Sequence, residues 1–215
     1  MVAYSLSGLC CLMLPGLLLE VKMDIKKTVA LHAEWLQDTS KGERANLENA
    51  NLRNADLRNA NLRDADLRDA DLRSADLENA NLENASLENA TLGHTNLQGA
   101  DLRSANLRGA DLEYADLRDA TLEYADLGDV NLGYANLGYA NLRGVKNFYL
   151  LPVADHRGYG FAHAVNTADG WRIRAGCRYF SIDQSLEHWG DAYYVHKDIG
   201  DMYIQAIKWL QEKIK

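Results

Sequence analysis

Between Ala45 and Gly144 the apolar positions of the chain recur every five residues, with no insertion or deletion. The order is alanine, Asn or Asp, leucine, then two polar or glycine positions. Leucine fills the third place in all 20 units, from Leu47 to Leu142, and alanine the first in 18, with Thr95 and Val130 as exceptions. A period of five fits neither an α-helix nor a strand. On a helix, leucines five apart would advance by about 140° per step and spread over every side. A chain that turns a corner every five residues points leucine and alanine inward together, and four corners return it to its starting direction. The pattern therefore predicts a square coil, four repeats to the turn, so that 20 repeats make five coils. Stacked levels share backbone hydrogen bonds at about 4.8 Å, and the small alanine leaves room for the leucine in a narrow interior.

The variable positions test this geometry, because residues 20 apart become vertical neighbours. The column Arg63, Glu83, Arg103, Glu123, Arg143 alternates in sign throughout, and Glu48, Arg68, Glu88, Arg108 does so until Gly128. The columns starting at Arg53 and Arg58 do not keep the alternation. Facing opposite charges on adjacent strands contribute about 0.2–1 kcal/mol each.

A solenoid needs its open ends covered. Ile25, Val29, His32 and Leu36 lie on one helical face within 24–37, with Asp24 as N-cap, so residues 23–44 are expected to form an N-terminal capping helix. Residues 1–22 stand outside this plan. Met1–Leu19 carries no charge, lacks a basic leader and is interrupted by Pro15-Gly16. Translation starting at Met23, a membrane anchor and a signal peptide are all compatible with it, and a membrane association is expected only if residues 1–22 are genuine. After Gly144 the repeat ends, and the segment 145–215 holds all three phenylalanines and three of the four tryptophans. It reads as a small α+β domain. Tyr149–Ala154, Tyr159–Asn166 and Trp171–Ala175 are strands, with Asp169-Gly170 as a hairpin turn. Ser181 and Gln184 form a capping box for a helix ending near Trp189, and Tyr203, Ile207, Leu210 and Ile214 mark a terminal amphipathic helix from about Asp198.

The A-(N/D)-L-x-x units resemble the pentapeptide-repeat family. The resemblance implies a β-solenoid, a right-handed quadrilateral β-helix. Ala175-Gly176-Cys177-Arg178-x-Phe180 and His188-Trp189 are similar to a module that follows pentapeptide repeats in phage-like proteins, which makes Cys177, Arg178, His188 and Trp189 its candidate signature and brings no activity with it. Some members of the family resemble B-DNA in charge and width and act on DNA gyrase. Related rods often pair end to end, so a homodimer contact through the terminal helix is a candidate.

Composition narrows the function. A formal charge of -8 argues against direct binding of nucleic acid, and three cysteines make no disulfide framework, which suits a reducing, cytoplasmic setting. The repeats hold 18 acidic residues against nine arginines, a net of -9 compatible with a DNA mimic, although the alternating columns break up the field. Cys177 with His163 or His188 could form a thiolate–imidazole pair, but no orienting group or oxyanion signal accompanies it. His156, His163, Cys177 and His188 show no paired short metal-ligand spacing. No catalytic residue, metal site or cofactor is therefore assigned. His94, at a variable repeat position, is expected to be solvated. Tyr114 and Tyr134 should share a column, with Tyr124 and Tyr139 on corners nearby and Gly128, Gly133 and Gly138 baring the backbone beside them. These four tyrosines are the candidate interaction surface. The reading is a non-enzymatic scaffold for an unknown protein partner. The alternatives are a gyrase-directed DNA mimic and a Cys/His enzyme or metal site in the C-terminal domain.

Overall fold

A computed structural model of the chain describes residues 24–154, 161–175, 178–190 and 197–214. The segment 1–22, Cys177 and His156 lie outside the described residues, as do the side chains of Arg178, His188 and Trp189.

Helix α1 spans Ile25–Gln37 and is capped by the Asp24 carboxylate, which accepts from the Lys27 N–H at 3.2 Å. Its apolar side lays Ile25 and Val29 on the core of the coil. His32 goes further. Fully buried, it joins helix and coil through both ring nitrogens: Nε2 donates to the Arg63 carbonyl at 2.9 Å and Nδ1 accepts from the Ala45 N–H at 3.1 Å. These partners fix the tautomer, and burial lowers the pKa below the ordinary 6.5, so the ring is neutral. The helix ends where Gly42, at φ 63°, turns the chain back so that the Glu43 N–H reaches the Leu31 carbonyl at 3.1 Å.

The repeats wind as a four-sided β-helix. Bridges join each residue before leucine to the one 20 positions on, in parallel, from Asn46↔Asp66 to Asp126↔Lys146. Between levels the Leu47 N–H donates to the Asp66 carbonyl at 2.7 Å and the Asp66 N–H to that of Ala45 at 3.0 Å, a pattern that recurs up the coil. Within a repeat the corner is a β-turn, such as Ala50 N–H to Leu47 C=O at 3.0 Å. The Asn or Asp before leucine supports it locally, as where Asn46 Oδ1 accepts from the Glu48 N–H at 3.1 Å. Leucine therefore faces inward throughout: Leu62 to Leu127 are buried, and only near the last level do Leu137 and Leu142 become half-exposed. Thr95, in place of alanine, is tolerated inside because its hydroxyl donates to the Leu72 carbonyl at 2.9 Å.

Beyond the coil, an antiparallel sheet runs in the order β1 (Phe148–Ala154), β2 (Phe161–Thr167), β3 (Gly170–Ala175), β4 (Arg178–Ser181). Helices α2 (Ile182–Gly190) and α3 (Lys197–Lys213) follow. The hairpin turn sits one residue earlier than the Asp169-Gly170 signal implies, since Thr167 pairs with Gly170 across Ala168 and Asp169. Strand β4 is absent from the sequence reading. Its last residue, Ser181, also carries the capping box, donating its N–H to Gln184 Oε1 at 2.9 Å and accepting from the Gln184 N–H at 3.2 Å. One sheet face packs Leu151, Ala164 and Ile173 against Tyr203, Ala206, Ile207 and Leu210 of α3. From the other, Phe148 and Val165 join the core of the coil. There β2 takes the place of the next level on the first side: the Asp129 N–H donates to the Asn166 carbonyl at 3.0 Å, and the Asn166 N–H to that of Asn147 at 2.9 Å.

Candidate functional site

The two variable positions of the repeat are not equivalent. The fifth residue of every unit, from Asn49 to Gly144, has a positive φ, between 56° and 68°. Glycine, Asn and Asp tolerate this left-handed backbone; bulky side chains do not. Most corners conform. Besides the small Ser74 and Ser104, the departures are bulky and gather toward the C-terminal end, at His94, Tyr114, Tyr124, Tyr134 and Tyr139.

Three of these rings form one column. His94 stacks on Tyr114 with centroids 4.9 Å apart, and Tyr114 on Tyr134 at 4.7 Å, each pair within 4° of parallel. The spacing is that of the levels themselves, so the backbone ladder sets the ring ladder. His94 is exposed yet stacked, rather than simply solvated. Tyr114 and Tyr124 are each 48% exposed and Tyr139 is 94% exposed.

The neighbouring glycines are not bare floor. A Cβ at Gly144 would lie 2.6 Å from the Tyr124 ring, and one at Gly128 would lie 2.6 Å from Arg108 Nη1. Over Gly138 the Arg118 Cγ would be 3.5 Å away. Each glycine is thus the space into which a long side chain of the level below folds, which corrects the expectation of a stripped surface.

Charge on the coil is organised mainly within repeats. In all five Asp-Leu-Arg units the arginine forks onto its own aspartate, as Arg58 does on Asp56 at 2.8 and 2.7 Å, and likewise Arg68 on Asp66, Arg73 on Asp71, Arg103 on Asp101 and Arg118 on Asp116. The guanidinium of Arg58 holds the Asp56 carboxyl down at about 2, and the other four aspartates are lowered by the same cause. Vertical pairing is partial. Glu48–Arg68 (3.1 Å), Arg63–Glu83 (4.0 Å) and Glu83–Arg103 (3.4 Å) form, whereas Glu88 and Glu123 accept from the Asn106 and Asn141 amides at 3.4 and 3.0 Å. The sequence signal for the forks was the pairing of Asp with Arg two residues on, hidden behind the vertical pattern.

Among the described residues, no group of three or more His, Cys, Asp and Glu could hold a metal ion, and no helix is long and apolar enough to cross a membrane. His163 lies in the sheet against Phe148, with centroids 5.5 Å apart, and its proposed partner Cys177 is outside the described residues.

Residues 45–84 and 85–123 match the family model for pentapeptide repeats, in eight copies. That matched stretch, residues 45–123, is made of pentapeptide repeats. Pentapeptide repeat proteins form right-handed quadrilateral β-helices, and the four-sided coil is of that kind. Among solved structures, the chain is similar to Rfr23, a pentapeptide repeat protein from the cyanobacterium Cyanothece 51142, at 41% identity over 50% of this chain and 63% of that one, with a TM-score of 0.29. It is also similar to a pentapeptide repeat protein of the Arabidopsis thaliana thylakoid lumen (29% identity, 44% of this chain and 59% of that one, TM-score 0.26). A third is QnrB1, a plasmid-mediated fluoroquinolone resistance protein (20% identity, 51% and 70%, TM-score 0.23). The chain thus spans less than two thirds of the length of the first two. Comparison with curated proteins gave no match.

Proposed function

We propose that this chain is a non-enzymatic interaction scaffold. In this reading a five-coil pentapeptide-repeat rod over 45–144 presents the C-terminal module and binds a protein partner through the tyrosine corners of its last levels: Tyr114 and Tyr134 in one column, Tyr139 on the next corner and Tyr124 on the corner opposite the column. A second contact, between copies of the chain, is proposed through α3, where Met202 and Trp209 remain exposed.

The observation that carries the reading is the conformation of the tyrosine corners. Each holds a bulky residue at positive φ, where the neighbouring corners use Asn, Asp, Ser or Gly. Backbone strain of this kind persists where the surrounding structure enforces it and is concentrated at working surfaces. Exposed aromatic rings on a rigid frame supply contact area at small entropic cost, as binding hot spots do. Replacing Tyr114, Tyr134 and Tyr139 together by Asn removes the rings and relaxes the corners. The variant should melt no lower than the parent and should lose the partner in affinity capture. A partner recovered equally by the folded variant would overturn the reading.

The rod's net charge of -9 supports a competing reading, a DNA mimic acting on gyrase. Against it stand the Asp–Arg forks, which engage five of the nine arginines and neutralise the rod locally. Inhibition or protection in a gyrase supercoiling assay at micromolar protein would decide for mimicry.

A further inference from the structure

The C-terminal end of the coil is covered unevenly. On its first side a further level is begun by Lys146 and Asn147 and continued by Asn166 of β2. On the third and fourth sides, Asn136–Ala140 and Asn141–Val145, no described residue forms that level. Lower in the coil, the equivalents of Leu137, Tyr139, Leu142 and Gly144 each donate an N–H upward, as Leu117, Asp119, Leu122 and Tyr124 do to Asn136, Gly138, Asn141 and Arg143. Among the described residues, the N–H groups of those four top-level residues donate to no carbonyl, and the carbonyls of Ala135 and Ala140 accept from no N–H. Ala135, Leu137, Ala140 and Leu142 are half-exposed beneath them. The 94% exposure of Tyr139, on the corner between the two sides, has the same origin: no described residue lies above it.

We propose that this edge receives an extended polypeptide segment of a protein partner, which adds the missing sides as β2 does the first. Three observations define that segment. The inward positions above Ala135, Leu137, Ala140 and Leu142 require small residue–polar–leucine spacing, because only this fills a level of the coil. The corners below and at Tyr139 and Gly144 lie at positive φ throughout their columns, which calls for Asn or Gly above them, or above Tyr139 for an aromatic ring that stacks on the exposed tyrosine. The column Arg63, Glu83, Arg103, Glu123, Arg143 alternates in sign, so the residue above Arg143 is acidic. Main-chain pairing supplies affinity and the alternate side chains supply specificity, as in other strand additions to an open edge. This does not rest on the tyrosine column, and either reading can fail without the other.

The test uses the full chain and a fluorescent peptide, Ala-Asn-Leu-Gly-Tyr-Ala-Asn-Leu-Glu-Asn, beside a scrambled version and one with Glu changed to Arg. Saturable binding is expected, with the scrambled peptide at least about tenfold weaker and the Arg peptide a few-fold weaker. Amide hydrogen exchange gives the second readout: the Leu137, Tyr139 and Leu142 amides exchange rapidly in the free protein and become protected by the peptide. Ala140→Arg, which places a bulky charge on the half-exposed rim, should abolish binding while the thermal melt remains cooperative. Equal binding of the scrambled peptide, or no saturation, would overturn the proposal. So would amides already protected in the free chain, whether by self-association seen in sedimentation or by another part of the same molecule.

Discussion

His32 secures the N-terminal lid by filling both a donor and an acceptor at the coil's lower rim, and this makes the lid sensitive to acid. Protonation would set a second N–H against that of Ala45 and charge a fully buried ring. Because the native pKa lies below the ordinary 6.5, the unfolded chain takes up the proton first as pH falls. Stability from this residue is therefore full above about pH 6.5 and declines below it. Chemical denaturation at pH 7.5 and 5.5 should show that loss in the parent. His32→Ala should be less stable by about 2–4 kcal/mol at pH 7.5, from two abandoned backbone groups, and should flatten this part of the pH dependence. The converse holds at Tyr139, where a 94% exposed ring sits at φ 59°. Tyr139→Asn should raise stability by about 0.5–1 kcal/mol, and an unchanged or lower urea midpoint would contradict the strain argument. Neither role could be read from the chain alone. The i, i+4, i+7 spacing places His32 on a buried helix face but says nothing of its partners, and the left-handed corner shows only as a subtle excess of Asn, Asp and Gly at the fifth position.

At the level of elements, legibility follows how locally each is encoded. The coil repeats one five-residue instruction, so every unit confirms the next and the period excludes helix and strand together. Helix α1 was readable from Asp24 and one apolar face. Strand β4 was not, because Arg178–Ser181 is only four residues long and ends on a helix-capping signal. The sheet's landing on the coil was equally silent, since the Asp129–Asn166 contact joins residues far apart with no pattern relating them. Gly42 is where the lid depends most narrowly on one residue. A Cβ there would lie 2.1 Å from the Leu31 carbonyl oxygen and 2.8 Å from the Trp35 nitrogen, and φ is 63°. Both obstacles are backbone, so neither can yield by rotating a side chain. Gly42→Ala should cost about 2–4 kcal/mol and loosen α1 from the coil. Trp35, stacked on His32 at 5.6 Å, reports this directly: its emission should shift to the red, and an unshifted spectrum with an unchanged melt would refute the steric account.

Across the whole molecule, lid, rod and module share one apolar interior: Ile25 and Val29 close it below, and Phe148 and Val165 enter it above. Between those ends the levels are mechanically alike, each held by the same ladder and the same corners, so the rod behaves as a stack of interchangeable repeats. Length and angular position are then coupled. Asn54 and Tyr134 stand in one corner column, 80 residues and four levels apart, which at about 4.8 Å per level is roughly 19 Å. Removing Ala65–Asn84, one full turn, should leave lid and module on their original sides and bring the two positions closer by about one level spacing. Removing Ala65–Ser74, half a turn, should instead carry position 134 to the opposite corner. Spin labels on Asn54→Cys and Tyr134→Cys, with Cys10, Cys11 and Cys177 replaced by serine, distinguish the two. The longer deletion should shorten the measured distance and the shorter deletion should lengthen it, an inversion that only a four-sided coil produces. Distances that fall steadily with the number of residues removed would mean that the chain is not wound four repeats to the turn.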